Sequence, residues 1–282
     1  MQKNKPPKSV QSKHEIRDGQ SIELLKELHI LTREGKMNQD SRRKLKQVYH
    51  LYQFIEPLLN SIHAEKFINL VDHGAGKSYL GFILYDLYFK NLTDKSHIYG
   101  IETRTELVEK SKQLANQLDF KQMSFLNVSV ADSITTEKLP EQIDIVTALH
   151  ACNTATDDAI DFALAKKARY LVLVPCCQAE VAAALRAKKA NHIDSPELHE
   201  LWRHPIHARE FGSHLTNILR CLRLEACGYK VTTTELIGWE HSMKNELIIA
   251  ERRNQKNLRS ELNLTKLLTD FGLTELSQRF NI

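Results

Sequence analysis

Three carboxylates, Asp72, Glu102 and Asp132, recur at intervals of 30 residues, each just after a short apolar run. Asp72 is followed by Gly74-Ala75-Gly76-Lys77, where two glycines let the backbone turn tightly and approach a ligand with no Cβ between them. Acids placed at successive strand tips can accept hydrogen bonds from ribose hydroxyls at Glu102 and from an adenine amino group at Asp132, with Ser133 beside it. A second set of reactive residues lies further on: His150-Ala151-Cys152, Asp157, and Cys176-Cys177 after Pro175. A histidine or an aspartate there can take a proton from a hydroxyl acceptor, and a thiolate can attack a ring carbon if its pKa is depressed. His150, Cys152, Cys176 and Cys177 could also form a tetrahedral metal set, but adjacent cysteines rarely ligate one zinc without strain, so no metal is expected. The same small residues could equally pack the floor of a pocket, since free cysteine is among the most buried residue types.

The elements that must position these groups follow from apolar periodicity. Phe67 to Val71 reads as a buried parallel strand, and Lys77 to Phe89 as a helix with Leu80, Ile83, Leu84 and Leu87 on one face. His97–Ile101 is a second strand ending at Glu102, Thr103–Leu118 a helix, and Met123–Val130 a third strand ending before Asp132. Gln142–Leu149 and Ala168–Val174 are the fourth and fifth strands, separated by a helix over Ala159–Lys166. Their trailing loops carry the second set of residues, and in open parallel sheets such loops face one crevice. Phe211–Cys227 is a helix stopped by Gly228, and Lys230–Trp239 with Asn245–Glu251 a terminal antiparallel pair.

Spacing narrows the ligand. A phosphate-binding P-loop needs glycine where Val71 stands, so Gly76-Lys77-Ser78 matches the tail of that motif alone. A dinucleotide fingerprint needs a small residue where Tyr79 stands. Asp72-His73-Gly74-Ala75-Gly76 instead resembles the first motif of class I S-adenosylmethionine methyltransferases. In such a site the glycine loop runs along the amino acid part of the cofactor, whose ammonium suits an acid such as Asp72 and whose carboxylate would explain Lys77. A cation in a first helical turn otherwise costs about 0.3 to 1 kcal/mol. His150-Ala151-Cys152 with Thr154-Ala155-Thr156-Asp157, and Pro175-Cys176-Cys177-Gln178, narrow the resemblance further. They are similar to the branch that includes the tRNA acceptor-stem 2′-O-methyltransferases and the methyltransferase-like domain of the glutathione S-transferase C-terminal domain-containing protein. The likeness spans residues 62–253 and implies an α/β, Rossmann-like, seven-stranded, mostly parallel sheet. It also implies S-adenosyl-L-methionine as cofactor, held by Asp72, Gly74, Ala75, Gly76, Lys77, Glu102, Asp132, Ser133, His150 and Ala151. His150, Cys176, Cys177 and Asp157 would stand near the transferred methyl. No Cys/His zinc-finger array precedes the core in this sequence, so tRNA specificity is not part of what the resemblance implies.

Composition bounds the remainder. The 282 residues, 42% hydrophobic, suffice for one sizeable core with extensions. Residues 1–20 read as a disordered basic tail, 21–61 as a helical N-terminal extension and 254–282 as a helical appendage. In the extension Ser21 caps a helix reaching Arg33, and a second helix begins near Asp40 or Ser41. The second helix carries Arg42, Arg43, Lys44 and Lys46 near its start, where the helix dipole disfavours cations; a polyanion such as RNA would account for them, and so would a solvated face. Arg186–His214 is rich in cations and histidines around Trp202, and Trp202, Arg203 and Arg209 suit base stacking and phosphate contact. The net charge is +4, no apolar run reaches membrane-spanning length, and the N-terminus lacks a signal-peptide stretch, so a cytoplasmic protein is expected. Five cysteines, an odd number with two adjacent, read as thiols and not as a disulfide framework. A methyltransferase acting on RNA is the favoured reading. One acting on a small molecule or protein, or a non-catalytic RNA-binding protein of the same fold, are the alternatives, and oligomeric state is left open.

Overall fold

The computed structural model describes residues 16–149, 153–176, 178–187, 196–236 and 246–282. The N-terminal part folds as helices α1 (Ile22–Glu27) and α2 (Gln39–His63). Alternating elements follow: β1 (Asn69–His73), α3 (Tyr79–Leu87), β2 (His97–Glu102), α4 (Thr105–Gln117), β3 (Met123–Asn127), α5 (Val130–Thr135), β4 (Ile145–Leu149), α6 (Ala155–Ala165) and β5 (Tyr170–Val174). The chain ends with α7 (Glu180–Ala187), α8 (Pro205–Ala226), β6 (Tyr229–Glu235), β7 (Glu246–Arg252) and α9 (Leu258–Asp270).

The strands form one seven-stranded sheet in the order β3-β2-β1-β4-β5-β7-β6. Its pairs are parallel from β3 to β5, and β7 runs antiparallel to both β5 and β6. This is the Rossmann-like, mostly parallel sheet expected from the sequence. β1 and β5 are buried along their whole length, as parallel strands covered on both faces must be. The order reverses at β1, between β2 and β4, so a crevice opens beyond the carboxyl ends of those strands.

Side-chain alternation splits the core. Leu70, Ile98, Ile145 and Val172 pack on one face with Leu24, Leu25, Ile55 and Leu59 of α1 and α2, while Val71, Val146, Leu171 and Ile248 pack on the other with Ile160 and Phe162 of α6. The helices before the sheet therefore share its core. A third cluster joins α7, α8 and α9 around Trp202.

Several boundaries differ from the sequence expectation for identifiable reasons. α1 stops at Glu27, well before Arg33, because His29 takes a left-handed conformation (φ 55°). Bonds from its amide to Lys26 O (2.9 Å) and from Ile30 N to Leu25 O (2.8 Å) then close a Schellman turn. β3 ends at Asn127, short of Val130, because Ser129 caps α5 and accepts from the Asp132 amide at 3.2 Å. α6 starts four residues early at Ala155, with Asp157 and Asp158 in its first turn, where acids suit the helix dipole. α8 begins at Pro205 instead of Phe211, proline being suited to a first helical turn. No helix among the described residues is long and apolar enough to cross a membrane.

Candidate active site

The loop from His73 to Ser78 is the hinge of the crevice. Gly74 (φ 65°) and Gly76 (φ 58°) adopt left-handed conformations that a side chain would strain, and Ser78 (φ 51°) adopts one despite having a side chain. The loop is tied to the neighbouring strand at two points: Ala75 N donates to Ile101 O at 2.9 Å, and Gly76 N to Glu102 Oε2 at 2.8 Å. The glycine turn and the acid at the tip of β2 thus form one cradle.

Glu102 is strongly anionic. Burial alone would raise its pKa, but hydrogen bonds from the Arg104 side chain and amide, the Arg104 charge and the Gly76 amide hold it down to about 2. Arg104 bonds both carboxylate oxygens, Nε to Oε1 at 3.0 Å and Nη2 to Oε2 at 3.1 Å. The arginine side chain is 60% exposed, so exchanging it for ligand hydroxyls costs little.

Asp72 corrects the expectation. It is 2% exposed and does not reach the rim. Its oxygens accept from Thr147 Oγ1 at 2.9 Å and Ser78 Oγ at 3.4 Å, and from the Gly81 amide. Burial outweighs these donors and pushes its pKa up to about 6. A Cβ on Gly81 would lie 2.6 Å from Ser78 Oγ, which shows how closely α3 sits on this carboxyl. Asp72 is therefore turned inward, tying the glycine loop to β4 and to the start of α3. Beside it, on the other face of β1, His73 is 3% exposed, neither ring nitrogen has a hydrogen-bond partner among the described residues, and burial lowers its pKa to about 4.

The other expected cofactor residues divide. Ala75 and Gly76 lie half-buried in the loop and Lys77 is exposed beside them. Asp132 is exposed at the start of α5, where its carboxylate accepts from Ser129 Oγ at 2.6 Å. Ser133 is a second correction: it is fully buried, and its hydroxyl is spent on Val130 O at 2.6 Å. His150, Ala151, Cys152 and Cys177 lie outside the described residues. The strands that precede them in sequence end side by side, Leu149 pairing with Val174. Cys176 is half-buried there.

Asp157 does not act as a base. It is 2% exposed and locked to Arg220, which donates to it from Nε at 2.8 Å and from Nη2 at 2.6 Å. Arg220 Nη2 also donates to Asn153 O at 2.9 Å and Nη1 to Asn217 Oδ1 at 3.2 Å. Asn153 Oδ1 in turn accepts from Ala179 N at 3.2 Å, and Gln178 lies 2.7 Å from Asn217. One buried arginine thus fastens the loop after β4, the loop after β5 and α8 together. The sequence signal for it was a cation on the inward strip of an amphipathic helix, with Thr216 and Arg223 in line.

The expected RNA contacts also divide. Trp202 is 1% exposed and stacks on Phe211 at 5.7 Å in the third core cluster, so it offers no ring to a base. Arg203 and Arg209 are exposed and pair with Glu200 and Glu210. Arg43 is exposed near Asp40, and Arg42 is half-buried on the same turn of α2.

A family model described as a methyltransferase domain matches residues 43–184, half of the chain. The chain belongs to this methyltransferase domain family. The matched segment runs from α2 to α7 and holds the glycine loop, all three strand-tip acids and both loops beyond β4 and β5; Arg220 lies past it. A comparison with curated proteins finds no match. Among solved structures, the methyltransferase resembles a putative caffeoyl-CoA O-methyltransferase from Staphylococcus aureus (12% identity, TM-score 0.46, 86% of this chain and 96% of that one). It also resembles magnesium protoporphyrin IX methyltransferase from Synechocystis PCC 6803 with bound SAH (14%, TM-score 0.44, 86% and 98%). An rRNA methylase from Streptococcus thermophilus is similar at 11% identity (TM-score 0.41, 66% and 87%). None of these likenesses bears on the acceptor.

Proposed function

We propose that this methyltransferase takes its methyl group from S-adenosyl-L-methionine and delivers it to RNA. The observation that carries the cofactor reading is the bond from Gly76 N to the Glu102 carboxylate at 2.8 Å, which joins a close-approach backbone loop to a permanent anion at the next strand tip. The cofactor supplies a methyl group on a sulfonium. Glu102 would accept hydrogen bonds from the ribose hydroxyls and Asp132 one from the adenine amino group, while the Gly74–Gly76 backbone and Lys77 would hold the amino acid part. With Asp157 committed to Arg220, the groups left to receive the acceptor's proton are His150, Cys176 and Cys177. The finer assignment, to the branch of the tRNA acceptor-stem enzymes, rests on His150-Ala151-Cys152 and Pro175-Cys176-Cys177-Gln178 in the sequence.

Arg42 and Arg43 on α2, Arg203 just before α8 and Arg209 within its first turns support RNA as acceptor, being cations suited to phosphate contact. The test is mass spectrometry of RNA nucleosides from cells with and without the gene, with methyl transfer by purified protein as the companion assay. Loss of one methylated nucleoside, restored by the wild type but not by Gly74→Arg, is expected. An unchanged nucleoside profile with transfer to protein or metabolite fractions would move the acceptor to those classes, and absence of any transfer would leave a binding protein.

A further inference from the structure

The acceptor positions of Glu102 are already filled from within the chain. A carboxylate offers about four lone-pair sites. Gly76 N (2.8 Å) and Arg104 Nη2 (3.1 Å) bond to Oε2, and Arg104 N (3.0 Å) and Arg104 Nε (3.0 Å) bond to Oε1, with Thr103 Oγ1 a longer donor to Oε1 at 3.4 Å. The Gly76 and Arg104 amides are fixed by the backbone. The remaining two close bonds come from one guanidinium, as parallel donors in a fork. Two neighbouring ribose hydroxyls present their donors to a carboxylate in the same way. The guanidinium also lies over the glycine loop: a Cβ built on Gly76 would meet Arg104 Nη2 at 3.7 Å. The close approach that this glycine permits is thus taken by the arginine.

Helix α4 does not account for Arg104. The residue is its N-cap, yet the side chain makes no cap hydrogen bond, and a cation at that end opposes the helix dipole where serine, threonine, aspartate or asparagine would serve. Fold stability does not account for it either, because an ion pair with an arginine side chain 60% exposed contributes little. Among the described residues the guanidinium bonds only to Glu102, so no other hydrogen bond has to break for it to leave.

We propose that Arg104 is an internal competitor of the cofactor: resting on the cofactor reading above, the ribose hydroxyls reach Glu102 only by taking the two positions that the guanidinium holds. The amides of Gly76 and Arg104 keep the carboxylate oriented through the exchange. The affinity for S-adenosyl-L-methionine is thereby held below what the cradle would give without the arginine.

Calorimetric titration of S-adenosyl-L-methionine into the full-chain wild type and Arg104→Ser tests this, and NMR of the arginine Nε–H groups of the wild type gives a readout that needs no variant to bind. Arg104→Ser should bind about two- to fivefold more tightly, the gain from removing a competing exposed ion pair. Its melting temperature should be retained, serine being a favoured N-cap. The Arg104 Nε–H signal, assigned by its absence from Arg104→Ser, should move on saturation of the wild type with S-adenosyl-L-methionine to the position of a solvent-exposed arginine. Equal or weaker binding by Arg104→Ser, or a signal that stays in place in the saturated wild type, would overturn the proposal while leaving the cofactor reading standing. Wild type that binds no S-adenosyl-L-methionine would overturn both.

Discussion

At the tip of β1 two adjacent side chains titrate in opposite senses. His73 is held neutral, its pKa about 4 against an ordinary 6.5, so its contribution to stability is present above pH 6.5 and lost as pH falls through 4. Burial favours the protonated form of Asp72, its pKa about 6 against 3.8, so its contribution is present below pH 3.8 and lost as pH rises through 6. The two slopes oppose each other, and single variants should unmask them. In His73→Phe, melting temperature should rise as pH falls from 6 to 4; in Asp72→Asn it should fall over that window. Profiles parallel to wild type would contradict both assignments. His73→Phe should also stabilise the protein at neutral pH by about 1–3 kcal/mol, because it removes two unpaired ring nitrogens beside Phe162. Urea denaturation reads that difference, and a loss of stability would mean that the nitrogens have partners. The sequence made the acids visible by spacing alone. It could not reveal that Asp72 turns inward, because that depends on Thr147 and Ser78, which meet it from 75 and 6 residues away.

At the level of elements, the loops beyond β4 and β5 owe their relative placement to Arg220. Replacing it with methionine strands a buried carboxylate at Asp157 and should cost about 3–5 kcal/mol, whereas adding Asp157→Leu should recover most of that loss. Denaturation of both variants checks this, and a double variant as unstable as the single one would contradict it. Methyl transfer should stay impaired in the recovered double variant, since Asn153 and α8 lose their tie to each other. Strand positions were legible because a fully buried parallel strand leaves a short apolar run. The ends of α1 and β3 were not: a histidine in a left-handed turn and a serine cap with an aspartate three residues on are local chemistry that apolar periodicity does not register.

Across the whole molecule, α1 and α2 complete one face of the sheet and are not an appendage to it. Leu25, fully buried among sheet residues, should therefore cost about 2–5 kcal/mol when truncated to alanine, and should lower one cooperative transition. A separate early transition in calorimetry would contradict this. This union was not legible in the sequence, because an amphipathic helix does not name the surface it covers. The central claim is that the glycine loop and Glu102 form the cofactor cradle, and calorimetric titration of S-adenosyl-L-methionine into wild type and Glu102→Ala tests it most directly. Wild type should bind and Glu102→Ala should bind about tenfold or more weakly, the ribose hydroxyls having lost a charged acceptor. Equal affinity in the two proteins, or no binding by the wild type, would contradict the account.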